Sequence, residues 1–145
     1  MDQAEITRYI NDTFEGVHTD TSTPDTFFIY DPERKFPFAT IVTSDNDYDN
    51  ASYLNRPSVF RLNIGISKAT FQTLFGGRSD TDAAHDFTAL DRLMPHPTYG
   101  RMHWICVLNP SAETFEVVKP LLAEAYNLSV ERYGKRGVKS PPATE

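Results

Sequence analysis

A group of polar side chains near the middle of the sequence has the chemistry of a ligand-binding site. Arg61 and Asn63 alternate with apolar residues in the stretch 58–67, SVFRLNIGIS, and Arg56 precedes it. Two guanidinium groups beside an amide can bind a carboxylate or a phosphate through charge-assisted hydrogen bonds. The alternative is a solvated sheet face whose arginines form ion pairs with the acidic loop 45–49.

The turn 95–100, PHPTYG, contributes further candidates. His96 lies between two prolines and precedes Tyr99. Because proline fixes its own φ, the imidazole is aimed more narrowly than in an ordinary loop. That restriction suits a binding site, and it equally suits a structural hydrogen bond that fixes the turn onto the sheet. With Trp104 added as a candidate pocket wall, the predicted ligand-binding residues are Arg56, Arg61, Asn63, His96, Tyr99 and Trp104.

Catalytic chemistry is not indicated by any motif in the sequence. A nucleophilic cysteine needs a nearby base and a lowered pKa, whereas Cys106 lies mid-strand among apolar residues, as a buried and unreactive thiol does. The sequence contains no GxSxG, Walker A or GxGxxG pattern, so no catalytic residue and no cofactor is predicted. An enzyme of unknown reaction is therefore the least favoured function.

The acidic and histidine-containing segments lack the spacing of metal sites. Asp45, Asp47 and Asp49 begin like a calcium loop, but Asn50 and Arg56 occupy the positions that require glycine and glutamate. Zinc motifs need closely paired ligands, and these side chains are not so spaced. His103 and Cys106 also point to opposite sides of one strand. Zinc binding is therefore not expected at His85, His96, His103 or Cys106.

The elements that would position these residues form an α+β pattern. A helix is predicted over 3–14, followed by a hairpin from Thr26–Tyr30 and 36–43. The stretch 58–67 alternates strictly, which predicts a strand with one buried face and one displayed polar face. Residues 102–108, MHWICVL, predict a central strand covered on both sides.

Two further helices follow from apolar spacing. Ala83, Phe87, Leu90 and Met94 predict a helical segment within 82–94. Phe115, Val118, Leu122 and Ala125 form one apolar stripe of a helix over 112–133. Pro120 should bend or break that helix, and Gly134 should end it.

Composition bounds the class of protein. The chain has 145 residues, one cysteine and a formal net charge of −6. That size fits one domain, predicted at 1–134 and followed by a disordered basic tail at 135–145. The acidic balance disfavours nucleic acid as a partner without excluding it. Since neither a signal peptide nor an apolar run long enough for a membrane is seen, we expect a cytoplasmic location and no membrane partner.

Several stretches resemble a small bacterial family known only as a domain of unknown function. The motifs that carry this resemblance are NRPSVFRLNIG at 55–65 and PHPTYG at 95–100, and the likeness spans about 3–133. More distantly, His103-Trp104 and the segment 125–128, AYNL, resemble the MmcQ/YjbR-like proteins. That likeness implies a double-wing fold, for which DNA binding has been suggested mainly by shape.

The sequence therefore predicts an α+β domain in which about five antiparallel strands pack against N- and C-terminal helices, as in MmcQ/YjbR-like proteins. The predicted function is a non-enzymatic module that binds a small molecule or a protein, both unknown. Nucleic-acid binding is the first alternative and an enzyme the second.

Overall fold

A computed structural model describes residues 1–32, 34, 36–76 and 85–139. Asp2 begins the first helix, because its carboxylate accepts the backbone N–H of Glu5 while the Glu5 side chain accepts the backbone N–H of Asp2. The elements, in chain order, are α1 (Gln3–Thr13), β1 (Val17–Asp20), β2 (Thr26–Tyr30), β3 (Pro37–Val42), β4 (Arg61–Gly65), α2 (Lys68–Phe75), β5 (Met94–Pro95), β6 (Trp104–Leu108) and α3 (Ala112–Lys139).

The strands form one antiparallel sheet in the order β1-β2-β3-β4-β6-β5. This arrangement, with helices at both ends of the chain, confirms the predicted α+β class. The sheet has six strands, one more than the approximate prediction. The additional strand is β5, whose two residues pair with Cys106 and Ile105 of β6.

One side of the sheet, called the helix face here, forms the main core beneath α1 and α3. Ile6 and Ile10 of α1 are completely buried there, as are Val118 and Leu122 of α3. Full burial of an aliphatic side chain of this size contributes roughly 1.5–3 kcal/mol, so the apolar stripes of the two helices hold them on the sheet. The opposite side, called the loop face, is covered by the connection 43–60 and by residues 85–93 and 96–99, which lie on either side of β5.

A β-bulge in β3 adapts the helix face to the aromatic residues above it. Phe28 pairs with Ala39 and Ile29 pairs with Pro37, which leaves Phe38 without an opposite residue in β2. The Phe38 ring lies 6.1 Å from that of Phe14 and 5.7 Å from that of Tyr126, measured between centroids. The bulge therefore places an extra aromatic ring between α1, α3 and the sheet.

The predicted helix within 82–94 was wrong for the part that the structure describes. Residues 85–93 form turns and bends, and Met94 belongs to β5. The carboxylate of Asp86 accepts both the backbone N–H and the hydroxyl of Thr88, which is a local turn that competes with a helix. Residues 82–84 lie outside the described residues.

The last helix is longer and more continuous than predicted. Pro120 lies inside α3 without breaking it, and α3 passes Gly134 to end at Lys139. Proline cannot donate a hydrogen bond to the preceding turn, but Pro120 is exposed, so water can reach the carbonyl that it leaves unpaired. Residues 135–139 of the predicted tail therefore continue α3, and 140–145 lie outside the described residues.

Candidate functional site

The polar side of β4 is buried, which corrects the prediction of a displayed face. Arg61 is 0% exposed and Asn63 is 3% exposed. Both side chains lie on the loop face, where Ser52 and His96 are also buried. Alternation correctly identified the two sides of the strand, but it could not show that two long connections cover the polar side.

The guanidinium group of Arg61 is the centre of a buried network of hydrogen bonds. Its Nε donates to Asn63 Oδ1 at 2.8 Å, and its Nη1 donates to Asp49 Oδ1 and Ser52 Oγ, both at 3.0 Å. Its Nη2 donates to the second carboxylate oxygen of Asp49, completing a bidentate ion pair. Asn63 in turn donates to Thr40 Oγ1 at 3.0 Å, which ties the network to β3.

His96, in the segment between β5 and β6, packs against this network. Its Nδ1 accepts the backbone N–H groups of Thr98 and Tyr99, each at 3.0 Å. The single proton of the neutral ring therefore belongs on Nε2. Nε2 and Arg61 Nη2, which lie 3.1 Å apart, are then both donors and form no hydrogen bond with each other, and Asp49 Oδ2 lies 4.0 Å from Nε2. Burial and the neighbouring Arg61 charge, against the opposing effect of Asp49, lower the pKa of His96 to about 3.

Arg56 and Tyr99 flank this network rather than entering it. Arg56 donates to three backbone carbonyls, those of Ser52, Tyr53 and Thr88, at 2.7–3.0 Å. Tyr99 is 48% exposed, and its ring centroid lies 4.9 Å from that of His96. Arg56 thus joins the two connections of the loop face, and Tyr99 covers His96 from the solvent side.

The network joins β4 to the connection 43–60, His96 packs against it, and every nitrogen of the Arg61 guanidinium already has a protein partner. Such an arrangement can fix the loops, because a buried charge that loses its partners is strongly destabilising. The ion pair between Arg61 and the acidic loop agrees with the alternative interpretation made from the sequence, although in a buried setting. The ligand-binding role of Arg56, Arg61, Asn63, His96 and Tyr99 stays a prediction.

Trp104, the sixth candidate, lies apart from the network, at the end of the sheet where β6 pairs with Gly65 of β4. A Cβ atom on Gly65 would lie only 2.9 Å from Trp104 Cε2. The absence of a side chain at Gly65 therefore lets the indole lie directly against the backbone of β4.

The indole borders an open cavity of about 340 Å³ between this end of the sheet and α3, called the α3 cleft here. Its volume is near the lower end of the range of about 300–1,000 Å³ that is typical of small-molecule sites. Met102 and Phe36, which are 67% and 54% exposed, lie among its lining residues. The complete lining is Phe36, Pro37, Phe38, Gly65, Ile66, Met102, Trp104, Ala125, Leu128, Ser129 and Arg132.

Ser129 is the exceptional residue of the α3 cleft. It is 1% exposed, and its hydroxyl is the one buried side-chain oxygen in the described residues that has no hydrogen-bond partner. A buried hydroxyl without a partner is destabilising, so such groups call for an explanation. Ser129 was not among the predicted site residues, although it continues the apolar stripe of α3 four residues after Ala125, a position where a polar residue is unexpected.

In the described part of the chain, neither Cys106 nor a group of metal-binding side chains forms a site. Cys106 is buried, its Sγ lies 3.7 Å from the Pro95 carbonyl oxygen, and burial raises the pKa of its thiol to about 12. These observations agree with the unreactive thiol inferred from the sequence. Across the described ranges, no three His, Cys, Asp or Glu residues are grouped as a metal ion would need. No helix in the described part of the chain combines the length and apolarity of a membrane span.

Comparison with known proteins identifies the chain at the level of a family. A family model described as a family of unknown function, DUF6194, matches residues 1–138. No curated protein and no solved structure matches the chain. Because the match covers nearly all of the 145 residues, the chain belongs to the DUF6194 family.

Proposed function

We propose that the protein is a binding module that takes a small, largely apolar molecule into the α3 cleft. The observation that carries this proposal is the open, mostly apolar cavity beside Trp104, whose lining includes the buried polar residue Ser129. Small-molecule sites typically combine apolar walls with a few polar groups that fix the orientation of the ligand. Trp104 would act as the pocket wall that the sequence predicted.

The other predicted site residues lie outside the cleft and contribute to it indirectly, by stabilising the sheet and its connections. In this proposal the Arg61 network holds the connections of the loop face in place, while β4 and β6 extend from that network to Gly65 and Trp104. Catalysis is not part of the proposal. Arg61 directs its donors at protein acceptors, and the Cys106 thiol has a raised pKa.

The test uses Trp104, the only tryptophan of the chain. In a ¹⁵N-labelled sample, its single indole N–H resonance should shift on titration with the neutral probe 2-naphthalenemethanol. Calorimetry should give the affinity of the same complex. Native mass spectrometry of the purified protein provides a separate search for a ligand that remains bound during purification.

A matched pair of glycine variants controls this experiment. Gly65→Ala should weaken probe binding by about 10-fold or more, because the new Cβ displaces the Trp104 indole from its position against β4. Gly100→Ala should bind like wild type, because its Cβ would meet Pro95 at an ordinary 3.5 Å. An indole resonance that is unaffected by saturating probe, or equal binding by both variants, contradicts the proposal.

Nucleic-acid binding, the alternative suggested by the distant likeness to MmcQ/YjbR-like proteins, has one observation in its favour. Arg132 and Lys135 are exposed near the end of α3. The net charge of −6 opposes it. A gel-shift titration should show a complex that weakens steeply with salt if this alternative holds. Equal affinity of full-length protein and a variant with Arg132 and Lys135 changed to Gln contradicts it.

A further inference from the structure

We infer that the β1 edge of the sheet binds the β1 edge of a second copy of this chain, with Thr19 on the two-fold axis. This contact is independent of the proposed function, because it involves an edge strand and not the α3 cleft. Three observations support it: the difference between the two edges of the sheet, the direction of the backbone groups of β1, and the side chains that self-pairing places opposite each other.

The two edge strands, β1 and β5, differ in their capacity to pair with another strand. β5 has only two residues, and the second is Pro95, which has no backbone N–H to donate. Short length and proline are features that prevent an edge strand from pairing further. β1 has four residues and contains neither proline nor glycine. In the described part of the chain it pairs on one side only, with β2, so β1 is the more open edge.

The backbone groups on the outer side of β1 belong to Val17 and Thr19. The Gly16 carbonyl accepts the backbone N–H of Asp31 at 2.7 Å. Val17 lies opposite Tyr30, at the next position of the same ladder. Hydrogen-bonded and non-hydrogen-bonded positions alternate along an antiparallel pair, so the backbone groups of Val17 and Thr19 turn away from β2. They form a row of donors and acceptors that another antiparallel strand can use.

Antiparallel pairing of β1 with its own copy is a two-fold arrangement, in which each contact occurs twice. With Thr19 on the axis, His18 of each copy lies opposite Asp20 of the other. If the strand extends by one residue, Val17 lies opposite Thr21. The outward backbone groups of positions 17, 19 and 21 then match one another and provide about six hydrogen bonds between the copies.

The side chains favour this register over the neighbouring one. An axis at His18 would also match outward backbone groups, but it would place two imidazoles opposite each other. With the axis at Thr19, each His18 ring has at least one N–H to donate to the Asp20 carboxylate of the other copy, in either protonation state. That carboxylate accepts the backbone N–H of Ser22 at 2.9 Å and has further lone pairs for the imidazole. Complementary pairs directly opposite each other stabilise antiparallel strands.

Sedimentation velocity on the full chain, over a range of concentrations, tests the contact. Wild type should show a reversible equilibrium between monomer and dimer and no larger species, because the pairing uses the β1 edge of both copies. His18→Glu places like charges opposite each other at two symmetric positions, so it should weaken the dimer by about 10-fold. His18→Glu combined with Asp20→Lys restores opposite charges and should recover the affinity of wild type. Gln72→Glu, which adds a negative charge at an exposed position of α2, should dimerise like wild type.

Disulfide crosslinking tests the register. Cys106 is buried, so a thiol introduced into β1 is the accessible one. Positions 18 and 20 of the two copies form a non-hydrogen-bonded pair, whose Cα atoms lie about 4.5 Å apart, within the range of a disulfide. A mixture of His18→Cys and Asp20→Cys should therefore crosslink under mild oxidation. Either variant alone should crosslink much less, because its own thiols are offset along the strands.

The outcomes leave the proposed function untouched, because none of these substitutions lies in the α3 cleft. A monomer at every concentration overturns the inference. A dimer that His18→Glu weakens no more than Gln72→Glu does overturns the assignment of the contact to β1. Crosslinking of the single variants as strong as that of the mixture overturns the axis at Thr19.

Discussion

Arg61 is the residue whose surroundings differ most from what its type suggests. Arginine is rarely fully buried without a partner, and here the partners are Asp49, Ser52 and Asn63, all within one hydrogen-bonded network. A buried ion pair is not by itself strong evidence for stability, because both charges lose their hydration. Removing only one member is different, since the other charge is then left buried and unpaired.

This asymmetry gives a prediction for Arg61→Ala. The variant should lose roughly 3–5 kcal/mol of unfolding free energy, because the buried Asn63 and the mostly buried Asp49 both lose their partner. Chemical denaturation of the two proteins measures the difference. Arg101→Ala, at an exposed arginine, should change stability by less than about 0.5 kcal/mol and serves as the control.

The same experiment tests the ligand-binding role predicted for Arg61. If Arg61→Ala keeps nearly the stability of wild type, the network is not what fixes the connections of the loop face. A role of Arg61 toward a ligand would then gain support. A large loss of stability identifies Arg61 as a structural residue instead.

At the level of elements, the longer regular patterns predicted the structure, whereas the helical spacing within 82–94 and the irregular connections did not. The alternation of residues 58–67 correctly predicted β4, and the apolar stripe from Phe115 to Ala125 correctly predicted α3. The burial of Arg61 depends on Asp49 and His96, which lie 12 and 35 residues away in segments without periodicity. No local pattern shows these long-range contacts. The sequence therefore indicated that these polar residues form a group, but not that the group is buried.

Pro120 gives a prediction about the stability of α3. It lies in the interior of α3 at an exposed position, where proline is about 3 kcal/mol less favourable than alanine in a helix. Pro120→Ala should therefore raise the unfolding free energy by at least about 1 kcal/mol, visible as a higher Tm.

The control for this variant is Val117→Ala, at an exposed position of the same helix. It should change the Tm much less, because only a modest difference in helix propensity is involved. A lower Tm for Pro120→Ala would show instead that a bend at Pro120 is needed to seat α3 on the sheet.

The protonation of His96 determines part of the pH dependence of the stability of the whole molecule. Its pKa is about 3 in the folded protein and about 6.5 in an unfolded chain. Between these values the unfolded state binds a proton that the folded state does not, so stability falls as the pH falls through this window. Between about pH 7.5 and pH 4.5 this single group should remove roughly 2–3 kcal/mol.

Urea unfolding across that pH range, on wild type and on His96→Asn, measures this effect. Asparagine can accept the two amide protons that His96 Nδ1 accepts, but it does not titrate. The variant should therefore lose less stability on acidification than wild type, whatever its stability at neutral pH. His18→Gln, at an exposed histidine, is the matched control. Parallel pH profiles for wild type and His96→Asn would contradict the prediction.

Because α3 follows all six strands along the chain, the order of synthesis affects folding. Tyr126 donates its hydroxyl proton to the Glu15 carbonyl at 2.5 Å, across 111 residues. Leu62, Ile64, Ile105 and Val107 all belong to the core that α3 completes. All six strands can therefore leave the ribosome before this core closes, and folding should remain incomplete until the last helix is released. During that interval the exposed sheet would be the part of the chain that a chaperone recognises or that aggregates.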